Sequence, residues 1–228
     1  PQSQIAAPKN SAAQRLGLTG KDLDESKAAL QAAKTPDEAE QVLKGLADKC
    51  ESTVNGNHGY SAANKPPTSE CTALGTEKHA CMETMIKNSG HDRLKSEVAY
   101  GPKPDDQSEA SSQVISDDVL AGARAKANCA FKAAKTSGKP TKGVWFNEFR
   151  SAGGNYSLRA DAVMLKEGAK DASPGNVESV FDFKFNCAAL TDSQLASKYK
   201  KQITKYQDKF GVTYGKTLKF IHSSVYAP

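Results

Sequence analysis

Val177-Glu178-Ser179-Val180-Phe181-Asp182-Phe183-Lys184-Phe185 is a run of β-branched and aromatic residues whose two-residue period decides how the chain folds. Read as a strand, it sets Phe181, Phe183 and Phe185 on one face and leaves Asp182 and Lys184 together on the other. An acid and a base therefore share one face of a strand central to a sheet.

Tyr156 to Leu165 reads as the strand before it, joined through a loop containing Ser173-Pro174-Gly175-Asn176. Val144 to Phe149, followed by Gly153-Gly154-Asn155, reads as a strand before that, so the three form an antiparallel meander. On the other side, Thr191 to Phe210 has the strongest helical pattern in the chain. Thr191 and Gln194 make a capping box, Leu195, Tyr199, Ile203, Tyr206 and Phe210 form an apolar stripe, and Gly211 stops it. A strand over Leu218 to Val225 follows, and strand, helix, strand in this order predicts a right-handed crossover into the same sheet. Upstream the composition is helical. Residues 21–49 read as two helices parted at Thr35-Pro36, with Glu38 completing a capping box. Val54 to Ser69 reads as loop, Glu77 to Ile86 as helix, 101–113 as a polar surface loop, and Ser116 to Lys135 as helix. The expected class is α/β (α+β), a mixed central sheet flanked by helices and preceded by a helical segment. The division drawn is residues 1–113, acidic and mainly helical, and residues 114–228, the core.

Composition agrees with this division. Residues 1–123 carry 13 basic and 18 acidic side chains, whereas residues 124–228 carry 18 basic and 8 acidic. All of the basic excess lies in the second half, the footprint of a domain that meets a polyanion. A charged fraction of 25% and a hydrophobic fraction of 38% suit a globular protein, and no apolar run approaches the roughly 20 residues that cross a bilayer, so no membrane partner is expected. Pro1 to Asn10 lack the layout of a secretory signal, and a start at Pro1 reads as a piece of a longer polypeptide. Cys50, Cys71, Cys81, Cys129 and Cys187 include no C-x-x-C pair. With His58, His79 or His91 some of them offer zinc ligands at an unfamiliar spacing, against buried thiols or a single disulfide.

The strand of the opening run has a partner for its acid. Asp161, in Arg159-Ala160-Asp161-Ala162-Val163, lies 21 residues before Asp182, a separation that a hairpin with a moderate loop spans. Phosphodiester hydrolysis uses a divalent ion to polarise the phosphoryl group and acidify a water, and Mg²⁺ takes hard oxygen ligands. Asp161, Asp182 and the backbone carbonyl of Phe183 supply such oxygens, and Lys184 suits the orientation of water and the stabilisation of developing charge. The tripeptide Asp-x-Lys alone means little, since 14 Asp and 26 Lys in 228 residues place about 1.6 of them by chance. An ordinary cross-strand ion pair on a solvated face is the competing reading. What separates the two is the following helix, where Gln202 and Tyr206 stand at i and i+4 on one face.

A strand with Asp161, a strand with Asp182-Phe183-Lys184 and a helix with Gln202-Ile203-Thr204-Lys205-Tyr206 together resemble the PD-(D/E)XK nuclease superfamily, in particular its RecB-like branch with a Q-x-x-x-Y signature. The resemblance spans roughly residues 144–225. It implies a restriction-endonuclease-like sheet, dependence on Mg²⁺ or Mn²⁺, and Gln202 and Tyr206 near the catalytic acids or the substrate backbone. Ala160 stands where the superfamily has Pro. Many members add an upstream helical Glu, for which Glu97, in a segment read as helix, is favoured over Glu148. Lys198, Lys201 and Lys205, with Arg159, are the expected phosphate contacts. Lys200, Lys209, Lys216 and Lys219 extend the same path.

Nothing in the sequence reads individual bases, so DNA without sequence preference is the expected substrate, with RNA as the alternative. An acidic helical segment ahead of a basic nuclease core resembles the layout of secreted bacterial toxins. That resemblance implies an antibacterial effector, delivered by a type VI or similar system without a classical signal peptide. It would act in the target cell's cytoplasm and have a cognate immunity protein. The competing readings are a DNA repair or recombination nuclease of the same fold, a non-catalytic nucleic-acid-binding module, and a protein-binding domain with Asp182–Lys184 as a structural ion pair.

Overall fold

The computed structural model describes residues 11–61, 63–102, 112–185 and 191–223. Four helices come first: α1 (Ser11–Arg15), α2 (Gly20–Ala32), α3 (Pro36–Asn57) and α4 (Cys71–Ser89). The capping box at Thr35 is present, with Glu38 reaching back to the backbone N–H groups of Lys34 and Thr35. The apolar pattern carries α3 on to Asn57, past the loop expected from Val54, and α4 is longer than expected at both ends. Strands β1 (Leu94–Pro102) and β2 (Ser112–Ile115) follow, then α5 (Asp117–Thr136), α6 (Val144–Phe149), β3 (Leu158–Leu165), β4 (Val177–Phe183), α7 (Asp192–Lys198), α8 (Lys200–Phe210) and β5 (Leu218–Ile221). Most of the expected 101–113 loop, Cys187 and the end of the expected last strand lie outside the described residues.

The five strands form one mixed sheet in the order β2-β1-β3-β4-β5. All neighbours are antiparallel except β4 and β5, which run parallel across α7 and α8 as a crossover requires. Helices α1 to α4 cover one face, where Phe181 and Phe183 join Leu43, Leu74 and Met82 in a buried cluster, with Phe185 at its margin. Helices α7 and α8 cover the other, where Leu195, Ile203 and Tyr206 meet Val163, Val180 and Leu218. A third cluster joins α5 and Phe149 to Ala99 and Ile115. The fold is thus a helix-flanked mixed α/β sheet with an N-terminal helical segment.

Further expectations change. Val144–Phe149 is a helix, because Gly143 turns the chain with φ 79 and the i, i+4 pair Trp145 and Phe149 stacks at 4.8 Å. Its expected place beside β3 is taken by β1, which contains Glu97 and which Lys, Ser, Glu and Ala disguise as helix; pairing on both edges overrides that propensity. The Thr191–Phe210 helix is broken at Tyr199 (φ −106, ψ 20) into α7 and α8, although its Thr191–Gln194 box holds. A boundary after residue 113 falls inside β2, and β1 on its N-terminal side lies between β2 and β3. The core therefore runs across it.

Cys50 and Cys81 form a disulfide between α3 and α4, and Cys71 is disulfide-bonded too. These sulfurs are therefore not zinc ligands; Cys129 is free and exposed. Beside the Cys50–Cys81 bridge, the buried Lys78 ammonium sits 2.5 Å from Glu51, whose carboxylate also accepts from Asn55. Among the described residues no helix is long and apolar enough to cross a membrane.

Candidate metal centre

The paired run of β3 and β4 ends at Ala162 and Phe181. One step further, the Phe183 N–H donates to the Asp161 carboxylate at 2.6 Å instead of to a backbone carbonyl. Asp161 and Asp182 thereby stand where the two strands part, near enough that the Asp161 charge acts on the Asp182 carboxyl.

A switch of face brings Glu97 to the same place. Leu94 of β1, with Ala162 and Met164 of β3, faces α1–α4, whereas Val98 and Tyr100, with Leu158 and Ala160, face α7–α8. Simple alternation would keep Leu94 and Val98 on one side. The change occurs at Glu97 and at the residue opposite it in register, Asp161. It rests on a left-handed backbone at Glu97, φ 55, the single positive φ outside glycine among the described residues. Such a conformation costs a Glu about 1 kcal/mol or more, and strain of this kind collects at functional sites.

From α4, His79 reaches down to complete the group. Its Nδ1 is 3.4 Å from Asp161 Oδ1, and its ring stands edge-on to Phe185. Ligand atoms of His79, Glu97 and Asp161 all lie within 4.8 Å of one another. Arg159 Nε lies 2.7 Å from Glu97 Oε2, an ion pair whose N–H is not aligned on the oxygen. Glu97 also forms part of the wall of a groove of about 460 Å³ that includes His91, Lys95 and Val98.

On the α8 side, Lys184 pairs with Asp182 Oδ1 and donates to Gln202 Oε1 at 3.2 Å, while Gln202 Nε2 holds Asp182 Oδ2 at 2.5 Å. The Lys184 N–H bonds the Ile221 carbonyl at 2.7 Å, so β5 anchors its backbone. The ammonium rests 4.4 Å from the centre of the Tyr199 ring, the residue at which the helix breaks. The buried Tyr206 hydroxyl donates to the Arg159 carbonyl at 3.2 Å and ties α8 to β3.

The electrostatics follow from this crowding. Burial foremost, then the Asp161 charge, pushes the Asp182 carboxyl up to about 7 against the pull of Lys184. Burial also lifts Glu97 to about 7, with Arg159 opposing. Burial would raise Asp161 as well, but its hydrogen bond and attraction to His79, with Lys184 and the Phe183 N–H, keep it below the ordinary carboxylate range. His79 is raised, its own burial being outweighed by Asp161. Three carboxyls therefore crowd together, with Lys184 beside Asp182 and Arg159 beside Glu97. Within it, His79, Glu97 and Asp161 make a donor set that could hold a divalent ion.

Of the residues singled out in the sequence, Asp161, Asp182, Lys184, Gln202, Tyr206 and Glu97 come together. Glu148 does not join them. Phe183 enters through its N–H, and the cluster of convergent ligand atoms contains Glu97 and His79 beside Asp161, with Asp182 held by Lys184 and Gln202. Arg159 is engaged by Glu97. Lys201 and Lys205 are exposed on α8, and Lys198, also exposed, lies 5.4 Å from the Tyr199 ring. Lys219 is bound to Glu40 and Asp37 and so leaves the phosphate path. In the sequence, His79 stands out only beside cysteines, as a zinc ligand. Its one signal as an acid's partner is the i, i+4 spacing to Glu83, which contributes to the potential at Glu97. Comparison of the chain with family models, with characterised proteins and with solved structures finds no match.

Proposed function

We propose that this protein is a metal-dependent nuclease that hydrolyses phosphodiester bonds of DNA with little sequence preference. The observation that carries the reading is the convergence of Asp161, Asp182, Lys184 and Gln202, from two adjacent strands and the helix after them, beside Glu97 and His79. This arrangement favours the resemblance to PD-(D/E)XK nucleases over an isolated Asp182–Lys184 ion pair, which would need neither Gln202 nor the strained Glu97.

Asp161, Glu97 and His79 would hold Mg²⁺ or Mn²⁺, with Asp182 and the Phe183 carbonyl completing the set; the imidazole makes Mn²⁺ the better match. Bound there, the ion supplies Lewis acidity to the scissile phosphoryl group and acidifies a water. Lys184 Nζ, steadied by Gln202 Oε1 and the Tyr199 ring, orients that water and offsets charge growing on the phosphate oxygens. Gln202 keeps Asp182 Oδ2 turned inward. Tyr206, whose hydroxyl holds its proton far above neutral pH because of burial, fixes α8 against β3. Exposed Lys201 and Lys205 meet the backbone of the nucleic acid.

The biological setting proposed is an antibacterial effector, exported without a classical signal peptide and held in check by an immunity protein. The Cys50–Cys81 bridge in the acidic helical segment suits passage through an oxidising space. Growth arrest on cytoplasmic expression, relieved by Asp182→Ala and by Lys184→Ala, is the expected result, with loss of plasmid DNA in the arrested cells. Arrest that persists in both variants would contradict the assignment.

A further inference from the structure

Much of the basic charge of the C-terminal half lies outside α8. Residues 124–150 hold seven Lys and Arg against a single acid, Glu148. Every one of the seven is exposed, and none has an ion-pair partner among the described residues. This stretch is the hairpin of α5 and α6. It packs on the sheet through Ala123, Ala127 and Phe149 against Ala99 and Ile115, next to the β1–β3 pair that carries Glu97.

The same hairpin displays aromatic rings. Arg124, Asn128, Phe131 and Lys135 recur at helical spacing and share one face of α5. Asn128 accepts the Trp145 indole N–H at 2.8 Å, which fixes Trp145 beside that face. From there the rings form a row: Phe146 to Trp145 at 5.3 Å, Trp145 to Phe149 at 4.8 Å, and Phe149 to Tyr156 at 6.0 Å. Phe146 is 64% exposed at one end and Tyr156 38% exposed at the other. Tyr156 lies three residues before Arg159, the partner of Glu97. The row therefore runs from the hairpin to the start of β3, the strand that carries Asp161.

We propose that the α5–α6 hairpin grips single-stranded nucleic acid, with phosphates on the Lys and Arg of α5 and its following loop and an unpaired base stacked on Phe146. Unpaired cations beside exposed rings are what a single strand needs, because its phosphates take the charge and any base offers a face to a ring. A duplex hides its base faces and would use the lysines alone. The choice of nucleic acid among polyanions rests on the nuclease reading; the charged aromatic surface does not.

The test is fluorescence anisotropy of a labelled oligothymidylate and of a matched duplex, with the full chain in a chelating buffer so that no cleavage occurs. Phe146→Ala changes an exposed ring, and its fold is checked by thermal unfolding. It should weaken the oligothymidylate about ten-fold and the duplex far less. Lys132→Glu, Lys135→Glu and Lys142→Glu together should weaken both and flatten the salt dependence by about 2 in log–log slope. Lys27→Glu with Lys170→Glu, two exposed lysines elsewhere, should leave binding unchanged. Unaltered binding in both hairpin variants would overturn the proposal, as would an equal loss in the control pair. If Phe146→Ala instead weakened only the binding of phosphatidylserine vesicles, the surface would belong to a membrane and the proposal would fall. Because binding is read without divalent ions, failure of the nuclease reading would show as intact binding with no cleavage.

Discussion

Glu97 concentrates the case at the scale of single residues. Its φ of 55 is a cost that the fold bears to aim a carboxylate at Asp161. Glu97→Gly should remove that strain and leave Arg159, part exposed, to water. The variant is expected to be as stable as the parent or up to about 1 kcal/mol more so, while binding of Mn²⁺ weakens. A thermal melt beside a calorimetric Mn²⁺ titration checks both; a Tm lowered by several degrees would mean that Glu97 is structural. The pKa pattern makes a second prediction. Asp182 and Glu97 both titrate at about 7, and a cation needs them ionised. Affinity for the cation should therefore climb as pH rises from about 6 to 8. His79→Asn should narrow the advantage of Mn²⁺ over Mg²⁺, and equal loss of both ions would count against a nitrogen ligand.

Among the elements, α4 carries the most consequence, since it brings His79 to the centre and is fastened at Cys81 two residues on. The bridge to Cys50 closes a separation of 31 residues. Replacing both cysteines with Ala should cost about 3 kcal/mol, read by denaturant unfolding. The buried Lys78–Glu51 pair in the same interface behaves differently. Glu51→Gln strands an ammonium without its counter-charge and should cost about 3–5 kcal/mol, whereas replacing both partners with apolar residues should cost far less. A double-mutant cycle separates the two cases.

For the whole molecule, the raised carboxyls govern stability in the absence of a cation. Asp182 and Glu97 bind protons more tightly when folded than when unfolded, so their contribution is fully present below about pH 4. It is lost as pH rises through about 7. Urea unfolding without divalent ions should show this decline, and saturating Mn²⁺ should reverse it near pH 8. Much of the fold was legible because its signals are local: the caps at Thr35 and Thr191, the period of Val177–Phe183, and the spacing of Gln202 and Tyr206. The face of Asp182 and Lys184 could be read for the same reason. Placing β1 depends on pairing with two distant strands, and the Val144–Phe149 helix depends on Gly143 and on a stacked pair that β-propensity conceals. His79 was invisible because nothing in α4 states which strand end it will meet.

The rate of plasmid cleavage by the full chain with Mg²⁺ or Mn²⁺, repeated with chelator and with Asp182→Ala and Lys184→Ala, decides whether Asp182 and Lys184 are catalytic. Cleavage that requires the cation and falls at least about 100-fold in each variant is the predicted result. No cleavage with either ion, or equal rates in parent and variants, would contradict it.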